Sequence, residues 1–116
     1  MKKGLDFSVY LADIRESILH INEYIKGSPL NEVLKNDILL DAIIRRLLIV
    51  GEAVKKLPNE IRDLEPGIPW RKIAGSRDVF IHEYKSIIPE QVGMIISTDL
   101  PILLEAVKRL EDKISE

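Results

Sequence analysis

The chain has 116 residues, with 17 basic and 19 acidic side chains and a net charge of −2. That length suits one domain. The charge gives no bulk pull toward nucleic acid, so any RNA or DNA site has to be a local patch. Hydrophobic residues make up 46% and aromatics only 5%, a Leu/Ile-rich bias that favours helices over strands. The absence of cysteine excludes disulfides and thiolate zinc sites. The start, Met1-Lys2-Lys3-Gly4-Leu5-Asp6, has no apolar run behind it, so no signal peptide is expected. The longest apolar region, residues 38–50, is interrupted by Asp41, Arg45 and Arg46, and is too short to span a bilayer. A soluble cytoplasmic protein with no membrane partner is the expectation.

The first element is predicted over residues 7–26, where Leu11, Ile14, Ile18, Ile21 and Ile25 recur at helical spacing. Gly27, Ser28 and Pro29 end it. The second is predicted as one uninterrupted helix over residues 31–57. Ten of the thirteen residues from 38 to 50 are apolar and cover nearly its whole circumference. Such a helix needs cover on more than one side, which points to a second subunit and a two-fold dimer. Its polar strip is Asp41, Arg45 and Glu52, within about 40° on a helical wheel. The strip reads either as a solvated ion-pair row or as the polar wall of a site.

A connector follows between Pro58 and Pro69, with a short helical turn expected near residues 61–64. Pro69 suits the start of the third helix, predicted over residues 70–84 with Trp70, Ile73, Ala74, Phe80 and Ile81 inward. Residues 86–89 form a turn. The last helical region, residues 89–115, buries Val92, Ile95, Ile96, Leu103, Val107, Leu110 and Ile114. Pro101 is expected to kink or restart it. With no sustained period-two alternation, the fold class is all-α, an antiparallel up-and-down four-helix bundle forming one domain over residues 1–116.

Two histidines supply acid–base candidates near neutral pH. His20 lies off the apolar stripe and reads as an exposed polar residue. His82 closes the run Ser76-Arg77-Asp78-Val79-Phe80-Ile81-His82-Glu83-Tyr84. Asp78 stands i,i+4 to His82 and could orient its imidazole. Arg77 and His82 are separated by about 140° and about 7.5 Å on an α-helix, so they do not stack as neighbours. They can act jointly only if the backbone loosens near the helix end, or if a two-fold axis brings two copies together. Histidine can shuttle a proton, and a guanidinium can hold a phosphate and stabilise developing charge, which is the equipment of phosphodiester cleavage. A purely structural polar cluster is the competing reading. The inventory offers no di-iron Glu-x-x-His pair, no P-loop and no Gly-x-Gly-x-x-Gly. No metal and no cofactor are expected.

Arg77-Asp78-x-x-x-His82-x-Tyr84 resembles the Arg-x-x-x-x-His-x-Tyr signature of HepT-like proteins in the HEPN superfamily. Ile49-Val50-Gly51-Glu52-Ala53-Val54-Lys55-Lys56-Leu57-Pro58 is similar to that family's second-helix segment. Ile68-Pro69-Trp70-Arg71-Lys72-Ile73-Ala74-Gly75 is similar to its lead-in to the catalytic helix, and Asp99-Leu100-Pro101 to its last-helix pattern. The resemblance implies a HEPN-like bundle that dimerises and acts as a metal-independent endoribonuclease, the toxin of a toxin–antitoxin pair. Arg77 and His82 match the catalytic pair, in a dimer-interface cleft where the RNA 2′-hydroxyl attacks the adjacent phosphate. Asp78 stands where the family often has Asn, and is assigned with Tyr84 a supporting role. Tyr84 matches the tyrosine that an MNT-type nucleotidyltransferase antitoxin modifies with AMP. Asp41, Arg45 and Glu52 are secondary candidates for lining the cleft. The alternative is a non-cleaving helical dimer that binds a nucleotidyltransferase or RNA; the net negative charge favours it.

Overall fold

The computed structural model describes residues 2–82 and 87–115, with side chains from residue 7 onward. The first helix, α1 (Lys2–Ile25), stops at Gly27, whose φ of 82° is the left-handed turn a glycine adopts without a Cβ clash. Leu11, Ile14, Ile18 and Ile21 are fully buried along one side of it, as their spacing predicts.

The predicted second helix is two. A short α2 (Leu30–Leu34) is followed by a break at residues 35–36, and the long α3 (Asp37–Lys56) begins there. Asn36 makes the break. Its side-chain oxygen accepts from the backbone N–H groups of Ile38 at 3.0 Å and Leu39 at 3.1 Å. Those donors have no partner within the helix, so an Asn cap is worth about 1 kcal/mol over an uncapped start. α3 buries Ile43, Leu47, Val50, Ala53 and Val54. The rest of its apolar girth is only half covered at Leu39, Leu40, Ile44, Leu48 and Ile49, and Ile38 is exposed.

α3 packs against α1 on one side and against α5 (Trp70–His82) on the other, while α1 also packs against α7 (Leu100–Ser115). α1 and α3 run antiparallel, since Lys56 sits over the Tyr10 ring and Arg46 donates to the Tyr24 hydroxyl. The connector before α5 carries one short helix, α4 (Asn59–Arg62), slightly earlier than expected. It is pinned to α5 by the Trp70 indole, whose N–H is shared between the carbonyls of Arg62 and Glu65. A two-pronged Arg109–Glu65 pair at 2.8 and 3.0 Å ties the connector to α7, and from α1 the Arg15 Nε–H is shared between both carboxylate oxygens of Glu111.

α6 (Pro89–Met94) leads into a π turn, Ile95–Asp99, before α7. Pro101 stands second in α7, and it has no N–H to give to the ladder. The irregularity expected at Pro101 therefore falls in the turn just before it, where the Leu100 N–H reaches back five residues to the Ile95 carbonyl. Buried Leu100, Leu103, Val107 and Leu110 complete the core. Ile95 and Ile114, predicted inward, are only half-buried. So is Ala74, whereas Ile81, also predicted inward, is 42% exposed. The fold is all-helical, with no strand among the described residues.

Candidate active site

The site is built where α5 crosses α3. Gly51 lies buried in the C-terminal half of α3. A Cβ added there would stand 2.6 Å from the Arg77 Cβ. Only a glycine lets the two backbones come this near, and the approach delivers Arg77 to the next residue of α3, Glu52. Arg77 Nε lies 2.6 Å from Glu52 Oε1. Arg77 Nη1 donates to Asp78 Oδ1 at 3.1 Å. Two lysines of α3 close the network, Lys56 on Glu52 at 3.7 Å and Lys55 on Asp78 at 3.8 Å. Three cations and two carboxylates leave the cluster with one excess positive charge, a local basic point on an acidic chain.

Arg77 is only half-buried, and its Nη2 amino group makes no hydrogen bond among the described residues. Carboxylates hold the guanidinium at Nε and Nη1, and Arg77 lines a groove with its Nη2 left without a hydrogen bond among the described residues. This is how an arginine is held in readiness for an oxyanion: the planar fork loses little further freedom when it binds.

A groove of about 300 Å³ opens beside it. α1 contributes Tyr10 and Asp13; α3 contributes Leu48, Ile49, Glu52, Ala53 and Lys56; α5 contributes Arg77 and Ile81. The half-exposed Ile81 is thus a wall of the groove.

The sequence-predicted residues separate into three groups. Arg77, Asp78 and Glu52 come together. His82 closes α5, the residue after Ile81 and one turn beyond Asp78, and is exposed, with no hydrogen bond to Asp78 or Arg77 among the described residues. Asp78 turns to Arg77 and Lys55 instead. Asp41 and Arg45 are exposed, do not pair with each other, and stand on α3 about two to three turns from Glu52, outside the groove. Tyr84 lies outside the described residues. His20 is exposed, its ring tilted on Tyr24 at 6.2 Å. Sequence reading missed Tyr10, Asp13 and the structural use of Gly51. The last had a signal, a lone glycine in an aliphatic helix. The first two had only an i,i+3 spacing shared by many surface pairs. Among the described residues no group of three or more His, Asp or Glu side chains is placed to hold a metal ion.

Fold and site together define an all-helical protein that presents a braced guanidinium at the mouth of a groove, suited to an anionic substrate. The chain belongs to the ribonuclease HepT-like family, whose model matches residues 14–110. It is 36% identical to "Putative RNase TTE0752" of Caldanaerobacter subterraneus subsp. tengcongensis, over 90% of this chain and 93% of that one. It is 38% identical to "Probable ribonuclease HepT" of Thermococcus cleftensis, over 81% of this chain and 86% of that one. It is 34% identical to "Gamma-glutamylcyclotransferase and putative RNase MJ0434" of Methanocaldococcus jannaschii, over 96% of this chain but only half of that longer protein. No solved structure gives a significant match.

Proposed function

We propose that the protein is a metal-independent endoribonuclease in which Arg77 and His82 act on one phosphodiester. Membership of the ribonuclease HepT-like family supplies the reaction class. The observation that carries the assignment of residues is the braced Arg77, held at Nε and Nη1 where it lines a groove. The guanidinium holds the scissile phosphate and offsets the charge that builds on its oxygens. The adjacent ribose 2′-hydroxyl attacks phosphorus, the 5′-oxygen leaves, and the products are a 2′,3′-cyclic phosphate and a free 5′-hydroxyl. His82 carries the proton that the attacking oxygen loses or the leaving oxygen gains.

His82 and Arg77 of one chain make no hydrogen bond to each other among the described residues, and α3 keeps a half-covered apolar flank. Both features support a two-fold dimer in which the arginine of one subunit serves with the histidine of the other. The wider reading is a toxin, held silent by an MNT-type nucleotidyltransferase that adds AMP to Tyr84. An anionic nucleotide near His82 would repel the RNA backbone and fill the cleft.

The test is labelled single-stranded RNA incubated in EDTA with wild type, Arg77→Ala and His82→Ala. Cleavage by wild type alone, leaving cyclic-phosphate ends, supports the proposal. Cleavage that requires added metal, or that survives both substitutions, ends it.

A further inference from the structure

Tyr10 and Asp13 belong to no part of the chemistry above, yet both face the groove that Arg77 borders. They are i,i+3 on α1 and so share one side of that helix. Asp13 is half-buried, and its carboxylate has no hydrogen bond or ion pair among the described residues. That sets it apart from Glu52, whose two oxygens are engaged by Arg77 and Lys56. Leu48, Ile49 and Ala53 give the groove an apolar floor. An aromatic ring with Lys56 standing off it at 5.6 Å, an apolar floor and one uncommitted carboxylate, in the groove that Arg77 lines, make the equipment for a single-stranded base whose phosphate is held alongside.

The carboxylate chooses among bases. An ionised carboxylate has two oxygens that only accept. Guanine alone among the four RNA bases offers two adjacent donors on one edge, N1–H and the N2 amino group. Adenine and cytosine pair each donor with a neighbouring bare ring nitrogen, whose lone pair would face the second carboxylate oxygen. Uracil flanks its single N–H with two carbonyls, which repel it. We propose that Tyr10 and Asp13 form a guanine-binding subsite that selects the nucleotide beside the scissile phosphate. Asp13 accepts from N1–H and the N2 amino group, the Tyr10 ring and the apolar floor cover the base, and Arg77 takes the phosphate. This inference rests on the ribonuclease reading for its biological use but not for its test.

The test is equilibrium binding by titration calorimetry of guanosine, inosine and adenosine 3′-monophosphates to the intact protein. Wild type should bind the guanosine compound about tenfold or more tightly than the other two, since a two-pronged base contact discriminates on that scale. Inosine keeps N1–H but lacks the N2 amine, so it reads the second hydrogen bond without any substitution. Asp13→Asn should lose the guanine preference, whereas Glu60→Gln, an exposed acidic position on α4, should keep it. Equal affinities for the three nucleotides in wild type, or a preference that survives in folded Asp13→Asn, overturns the subsite and leaves the cleavage reading untouched. A guanine preference in a protein that cuts no RNA upholds the subsite and removes the ribonuclease reading.

Discussion

Arg77 owes its position to Gly51. The 2.6 Å that would separate the Arg77 Cβ from a Cβ on Gly51 is well inside any real contact, and neither atom belongs to a flexible side-chain end. Gly51→Ala therefore forces α5 away from α3, and Arg77 moves with it. Alanine gains about 1 kcal/mol of helix propensity over glycine, whereas overpacking a tight contact costs about 1–3 kcal/mol. The expected net result is a modest loss of stability with a large loss of cleavage, about 100-fold for a shift near 1 Å. A urea titration and a cleavage rate on the same preparation check both halves. Unchanged cleavage would show that the close approach does not position Arg77 for catalysis.

Glu52 braces Arg77 through its Nε, so its removal frees the guanidinium to swing. It also removes a negative charge beside the phosphate position. The first effect acts on geometry in the transition state and the second on binding of any RNA. Glu52→Ala is expected to lower kcat about tenfold with no rise in KM, the pattern of a lost positioning contact. Steady-state rates on a labelled oligonucleotide separate the two parameters, and a higher KM at unchanged kcat would assign Glu52 to binding.

The fold was legible where periodicity decides it. Leu11, Ile14, Ile18 and Ile21 on α1, and Leu103, Val107 and Leu110 on α7, are buried as their spacing requires. The break before α3 was not read, because the apolar residues on both sides of Asn36 continue one helical pattern. Only the side-chain cap made by Asn36 interrupts it, and a cap leaves hydrophobic spacing untouched. Ile81 was read as core because helical spacing gives a face but not what meets that face. It meets a groove. Asp41, Arg45 and Glu52 share a strip by angle, but a wheel discards height, and only Glu52 stands level with Gly51, where α5 crosses. The Glu52–Arg77 pair joins positions 25 apart through that crossing, so spacing within either helix could not have shown it.

A further charge pair joins α5 to the π turn. Asp99, in the π turn, is almost wholly enclosed, and Lys72 of α5 reaches it at 3.2 Å. Lys72 itself is exposed. Its replacement by methionine removes little packing but leaves a buried carboxylate without its cation, which costs about 1–2 kcal/mol after allowing for the exposed partner. The double variant Lys72→Met/Asp99→Asn is expected to be more stable than Lys72→Met alone. Thermal melts of wild type, Lys72→Met, Asp99→Asn and the double variant give the coupling, and strictly additive effects would mean that the pair contributes nothing.

Acid should loosen the connector before the core. The Arg109 guanidinium holds the Glu65 carboxyl below the usual carboxylate range, through a direct hydrogen bond first and charge attraction second. A group whose folded value is depressed adds stability that is complete above its unfolded value. That stability is lost as pH falls through the folded value. Glu65→Gln should therefore melt below wild type at neutral pH by an amount worth about 0.5–1 kcal/mol. The gap should close on acidification below the ordinary carboxylate range. Melting temperatures at a series of pH values test this, and a gap that persists in strong acid would place the contribution in packing.

Arg77 and His82 offer the sharpest test of a shared cleft. They sit on one helix with no hydrogen bond between them among the described residues, so the proposed cleavage reaction can draw the pair either from one chain or from two. If the arginine of one subunit serves with the histidine of the other, a two-fold dimer holds two such pairings. In a mixed dimer of Arg77→Ala with His82→Ala, one pairing contains both damaged residues and the other contains both intact ones. Random mixing makes half of the dimers mixed, so about a quarter of wild-type activity should return when two inactive preparations are unfolded together and refolded. If each chain used its own pair, every site in every dimer would lack one residue, and mixing would restore nothing. Cleavage assays on the mixture, beside each variant refolded alone, decide between the two arrangements.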